Sequence, residues 1–385
     1  MLPLLLGMWL GAVSPSGVVT STVLLEPAQR ALDLVYNMQF DEALHAAQGL
    51  IDLAPAHPIG YFCRAAVYWQ WRLLALDTQH RAMLLRQFHE ATLRAREVAE
   101  RLPAAQATEA AFYLGAVYGL QARMHVAEKQ YIRALLAAKR GSNYLQQCVG
   151  RAPDWYDAYA GLGIYAYALS RAPGFLRGIV QQLIGIAGDR EKGLQALEQA
   201  RAHGRLSVSE ATSLLAKIYA LPDERQYDRA YDLLEHLVQR YPNNIDYRYR
   251  LTLVSAYLGR WERARQVNRS LVVDIARDRP SHARQWLPLL HYRLAATYVL
   301  QREQLQDAIE LLRALQDQDL SPALRAWVEL RLGNVHDLWG EPQAAQAWYR
   351  SVQGDESAEA LAHAYLTTPF TLARMELKPL EHAAM

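Results

Sequence analysis

The chain has 385 residues, with 41 basic against 39 acidic side chains and a formal net charge of +2. That balance argues against an ordinary nucleic-acid binder, which concentrates basic charge. A hydrophobic share of 51% is ample for a continuous core.

Only five lysines occur (Lys129, Lys139, Lys192, Lys217 and Lys378), a bias toward arginine that we attribute to base composition rather than to arginine-specific recognition. Cys63 and Cys148 are the only thiols, and neither belongs to a CxxC pair, so no zinc or thioredoxin-type motif is visible. Both read as buried, unpaired thiols.

Leu2 to Val13 is an apolar run of signal-peptide length, followed by Ser14, Pro15, Ser16 and Gly17. It is short for a bilayer span, so residues 1–22 read as a cleaved leader, although no Lys or Arg stands near Met1. Export puts the rest of the chain in the bacterial cell envelope, periplasmic or outer-membrane associated. A lipoprotein anchor is unsupported, because no cysteine precedes Cys63.

From Pro27 onward helix follows helix, with no credible strand. A small residue, an apolar residue four on and another three later recur: Ala43, Ala47, Leu50; Ala91, Ala95, Val98; Gly141, Leu145, Cys148; Gly193, Leu197, Ala200; Ala230, Leu234, Leu237. Ala264 with Leu271, Ala308 with Leu312 and Leu315, and Ala345 with Tyr349 and Val352 continue the series. Pro55, Pro103, Pro153 and Pro242 close four of these helices. Small residues admit a partner helix closely, the four-and-three spacing keeps one stripe buried, and proline stops the helix. The helices between them answer with Tyr61, Ala65, Tyr68; Leu114, Gly115, Tyr118; Tyr159, Leu162, Gly163; Leu215, Ala216, Tyr219; Tyr292, Ala295, Ala296; and Leu332, Gly333. Between Arg248 and Tyr257 two registers fit equally well.

In these residues the chain resembles the tetratricopeptide repeat (TPR) family, most cleanly at Val328–Val352 and Arg225–Pro242. Tyr159–Tyr219 loosely resembles the TPR-39 (inclusion-body clearance) family, through Gly188-Asp189-Arg190 and Gly193-Leu194. The period lengthens toward the front of the chain, from 34 residues between Ala230 and Ala264 to 48 between Ala43 and Ala91. The expected fold is all-α: a right-handed α-solenoid of about eight TPR-like hairpins over 23–369, with a helical insertion at 170–188 between the paired helices of the fourth. Ala358–Leu366 reads as a capping helix and 370–385 as a tail.

Gly161-Leu162-Gly163-Ile164-Tyr165-Ala166 has the letters of a dinucleotide loop but lies inside a helical pattern, where its glycines serve close packing. The histidines form no HExxH, and no nucleophile elbow or phosphate-binding loop appears. No catalytic residue, metal ligand or cofactor is expected. The Asn268-Arg269-Ser270 sequon falls within a helix and carries no weight. The favoured function is a non-enzymatic adaptor that holds a peptide or protein segment along the inner wall of the solenoid. By register that wall includes Phe62, Trp69, Phe112, Tyr167, Arg293, Thr297, Leu330 and Asn334, whose rings could stack on an extended peptide. No nucleic acid is expected, and membrane contact is not favoured. The alternative is an apolar-ligand or lipid-handling protein using an amphipathic helix at 173–187, which carries Leu176, Ile179, Val180, Leu183 and Ile184 on one face.

Overall fold

The structure, a computed structural model, describes residues 22–75, 77–171, 188–277, 286–301 and 304–372. The leader expected at 1–22, the insertion with its amphipathic helix, and the tail past residue 372 lie essentially outside the described residues. Among the described residues every long element is an α-helix, and the helices follow one another in eight consecutive pairs and a cap. The first three pairs are α1 (Thr22–Tyr36) with α2 (Phe40–Leu53), α3 (Ile59–Leu74) with α4 (Thr78–Glu100), and α5 (Ala107–Ala127) with α6 (Tyr131–Arg151). Next come α7 (Asp157–Ser170) with α8 (Arg190–His203), and α9 (Val208–Tyr219) with α10 (Tyr227–Arg240). The last three are α11 (Ile245–Tyr257) with α12 (Trp261–Ala276), α13 (Leu287–Gln301) with α14 (Leu305–Gln316), and α15 (Pro322–Trp339) with α16 (Pro342–Ser351). The cap is α17 (Glu356–Thr367), whose N-terminus is closed by the Asp355 side chain accepting from the amides of Ser357 and Ala358.

The small and apolar residues of the sequence repeat are the contact residues of these hairpins. Every second-helix position named above, from Ala43 to Val352, is buried. In the α7–α8 pair a Cβ on Gly163 would lie 2.8 Å from the Gly193 carbonyl oxygen, and one on Gly193 would lie 2.8 Å from the Tyr167 amide nitrogen. The two backbones touch, and only glycine fits.

The hairpin turns share a device too. Met38, Lys129, Gly259 and Gly340 take positive φ, and the next amide donates back five residues: Gln39 to Leu34, Gln130 to His125, Arg260 to Ser255, Glu341 to His336. These are Schellman closures, which satisfy carbonyls left over at a helix end. Gly259 in that position also selects between the two registers open at Arg248–Tyr257.

The helices form two compact units. The first takes residues up to Leu32, then Asp41–Trp69 and Leu85–Ala211; among its core groups are Ala65, Trp69, Phe88, Ala91, Leu120 and Met124. The second takes the turn Asp33–Phe40, the stretch Gln70–Leu84 and everything from Thr212. Its core runs through α13 to α17, with Tyr292, Leu312, Trp327, Leu330, Tyr349 and Phe370 among its members.

Candidate binding surface

Of the eight residues that the sequence assigns to the inner wall, four fall in each unit. Seven are buried, Phe62 being the exception. In the first unit Phe62 and Phe112 both meet the ring of Tyr113, at 6.1 and 5.1 Å between centroids. Trp69 lies in the core, with the Arg123 guanidinium 5.7 Å from its ring, and Tyr167 packs at the α7–α8 contact. In the second unit Thr297 hydrogen-bonds the Leu294 carbonyl of its own helix, and Leu330 belongs to the core. Asn334 accepts from Arg331 and donates to Tyr349. The periodicity that selected these positions selects the packed stripe, so as a group they belong to the packing rather than to an exposed surface.

One of them, Arg293, lies against a partly exposed face on α11. An Arg-Leu pair followed by a small or short residue recurs on three consecutive first helices: Arg250-Leu251-Thr252, Arg293-Leu294-Ala295 and Arg331-Leu332-Gly333. The leucines are buried in each. The arginines differ in depth. Arg250 is partly exposed and donates to Asp246 at 2.9 Å, while Lys217 of α9 reaches the other oxygen at 3.1 Å. Burial pushes the Asp246 carboxyl up, but these two cations outweigh it and hold the group well below the usual carboxylate range.

Arg293 is buried beneath this face, its guanidinium carbon 3.1 Å from the centroid of the Tyr249 ring. Burial draws its pKa down to about 10, which leaves it charged at neutral pH. A cation against a ring face is favourable, more so away from water. Asp246, Tyr249 and Arg250 thus present two charges and a ring at partial exposure, held by ion pairs and by the arginine behind them. Half-buried His291 and Glu329 occupy first helices α13 and α15, and burial lowers the pKa of the former and raises that of the latter.

Sequence reasoning named Arg293 but passed over Asp246, Tyr249 and Arg250. A signal was there: the three arginines stand 14, 15 and 14 residues before Ala264, Ala308 and Ala345.

Other features read as structural. Gly161–Ala166 lies within α7. Both cysteines are free and buried, and burial pushes each thiol up to about 12, far from a reactive thiolate. His57 and Glu109 meet at 2.9 Å in the interior of the first unit. Among the described residues no group of three His, Cys, Asp or Glu could hold a metal ion, and no helix is long and apolar enough to cross a membrane.

No family model matches the chain and no curated protein matches its sequence, so the likeness of Tyr159–Tyr219 to the TPR-39 family rests on the residues alone. Similar solved structures include a monomeric mutant of IFIT1 with m7Gppp-AAAA, 13% identical, with a TM-score of 0.42 over 89% of this chain and 85% of that one. The human IFIT1 dimer with PPP-AAAA is also 13% identical, with a TM-score of 0.38 over 88% of this chain and 80% of that one.

Proposed function

We propose that the chain is a non-enzymatic binding scaffold that holds an extended peptide or protein segment against the first helices of its second unit. The observation that carries this reading is the Asp246–Tyr249–Arg250 face. Their ion pairs hold two charges and a ring in fixed positions at partial exposure beside the core. Fixed charges beside a ring are what an extended segment needs, the ring for area and the charges for register. A rigid helical array suits this task, because little ordering is left to be done on binding. Export through the inner membrane belongs to the same proposal and rests on the apolar run Leu2–Val13; cytoplasmic protein with an intact Met1 end would overturn that part.

The test is a crosslinking pull-down from native envelope with the full chain as bait, followed by affinity measurement on each recovered partner. Arg250→Glu reverses one charge on the face, and Val273→Ala trims an exposed residue of α12 as a control. The reading expects a partner bound by the control as by the wild type and weakened by about tenfold or more in Arg250→Glu, as loss of a charge-assisted contact implies. Equal binding by all three chains overturns it. An RNA oligonucleotide in the same assay decides the partner's class, and tight RNA binding would replace the peptide reading.

A further inference from the structure

The first unit carries a surface of a different kind at the tip of its α5–α6 hairpin. Val126 in the last turn of α5, Tyr131 and Ile132 in the first turn of α6, and Leu136 one turn on are all exposed, Ile132 at 78% and Tyr131 at 64%. The amides of Lys129 and Gln130 close the turn between the helices, donating to the carbonyls of Val126 and His125 at 2.9 and 2.8 Å, so the four side chains lie near one end of the hairpin. Single apolar residues on a surface are ordinary, but a group of them marks a contact. The buried stripe of α6 runs through Ala134, Ala137, Gly141, Leu145 and Cys148 and leaves this group out.

The charges around the group are of one sign. No acidic residue occurs between Glu128 and Asp154, while Lys129, Arg133 and Arg140 are exposed. Helical spacing puts Ile132, Arg133, Leu136 and Arg140 on one side of α6. Arg133 donates to Gln130 at 3.3 Å, and none of the three cations meets a carboxylate among the described residues. Glu128, the nearest acid in sequence, is partly buried, and its charge bears on His89 of α4.

A second copy docked tip to tip would set these cations against their like. A nucleic-acid backbone would satisfy the cations and leave Val126, Ile132 and Leu136 without apolar cover. An acidic protein segment would need an apolar groove as well, whereas a bilayer surface supplies both at once. Its acyl boundary takes apolar side chains, its headgroup layer suits tyrosine, and its phosphates meet lysine and arginine. We propose that the α5–α6 tip docks on an anionic lipid surface, with Ile132 and Leu136 entering the headgroup boundary and Lys129, Arg133 and Arg140 on lipid phosphates. The inference is independent of the peptide reading, since nothing in it uses the α11 face, which belongs to the second unit.

The test attaches an environment-sensitive dye to the full chain at Gln130→Cys, Cys63 and Cys148 being buried. Gln130 is exposed, and its replacement keeps the four apolar residues and the three cations. Vesicles of phosphatidylglycerol with phosphatidylethanolamine are expected to shift the dye to the blue, vesicles of phosphatidylcholine alone much less. The shift is expected to fade as salt screens the phosphates. Arg133→Gln with Arg140→Gln is expected to weaken vesicle affinity about twentyfold, about fivefold per cation. Ile132→Asn with Leu136→Asn is expected to abolish the shift; all four positions are exposed, so both variants keep the fold. A dye at Val273→Cys, exposed on α12, is expected to stay unshifted. No shift with the anionic vesicles, or an equal shift at Val273, overturns the proposal. A dye already blue-shifted in dilute, lipid-free chain gives the tip to the chain itself, and a shift that grows with protein concentration gives it to a second copy; either overturns the proposal. An acidic amphipathic peptide that shifts the dye where vesicles do not gives the tip to a protein partner and overturns it too.

Discussion

Asp157 Oδ1 accepts from the amides of Arg205, Leu206 and Ser207 and from the Ser207 hydroxyl, each at 2.8 Å. That single oxygen fixes the turn between α8 and α9. Nothing in the periodicity of the chain marks it, because the donors belong to a turn some fifty residues away. Asp157→Ala strands those donors and is expected to destabilise the first unit by about 2–4 kcal/mol, read from urea unfolding. Asp246 makes a prediction with a sign. Its folded pKa lies below its unfolded value, so its contribution to stability is complete above the unfolded pKa and is lost as pH falls through the folded one. Asp246→Asn is therefore expected to be less stable than wild type at pH 7, with the gap closing as pH falls below about 4. A gap that stays constant between pH 7 and pH 2 would contradict the pairing with Arg250 and Lys217.

Helical hairpins are the level at which the sequence speaks most plainly. Small residues at four-and-three spacing mark second helices because close approach of backbones leaves few other choices, and each of those positions is buried. The turns are less legible. Met38 and Lys129 stand in left-handed positions that glycine usually fills, so neither announces its turn. The Asp246–Tyr249–Arg250 face was illegible for a related reason: a periodic pattern shows which side of a helix packs, and of the three arginines that share its register only Arg250 stands at the margin, Arg293 and Arg331 being buried. The helix glycines are not equivalent either. A Cβ on Gly193 would meet backbone of α7, which cannot yield, whereas one on Gly119 of α5 would meet nothing within 4 Å. Gly193→Ala is expected to cost about 3 kcal/mol and Gly119→Ala to cost nothing, compared by thermal unfolding. Equal costs would mean that α7 and α8 do not meet backbone to backbone.

At the scale of the whole chain, sequence distance hides one tie. The turn after α1 belongs to the second unit: Asn244 Nδ2 donates to the Tyr36 carbonyl at 2.6 Å, the Asn243 amide to Asn37 Oδ1 at 3.1 Å, and Arg240 Nη2 to Asp33 Oδ2 at 3.1 Å. These partners lie more than 200 residues apart, and no repeat pattern could pair them. The double substitution Asp33→Ala with Asn37→Ala is expected to speed hydrogen exchange at 240–247 and leave α15 unchanged, since loosening one end of a helical array is felt mainly by its nearest neighbours. Faster exchange throughout, or none, would contradict that. Which helices meet a partner is decided by site-specific photo-crosslinking of the full chain in native envelope. A benzophenone side chain is introduced in turn at Tyr249 of α11, which keeps a ring and both charges of the face, at His291 of α13 and at Val273 of α12. A partner seated on the first helices predicts one common protein captured from Tyr249 and His291 and not from Val273; capture from Val273 alone, or equally from all three, would contradict it.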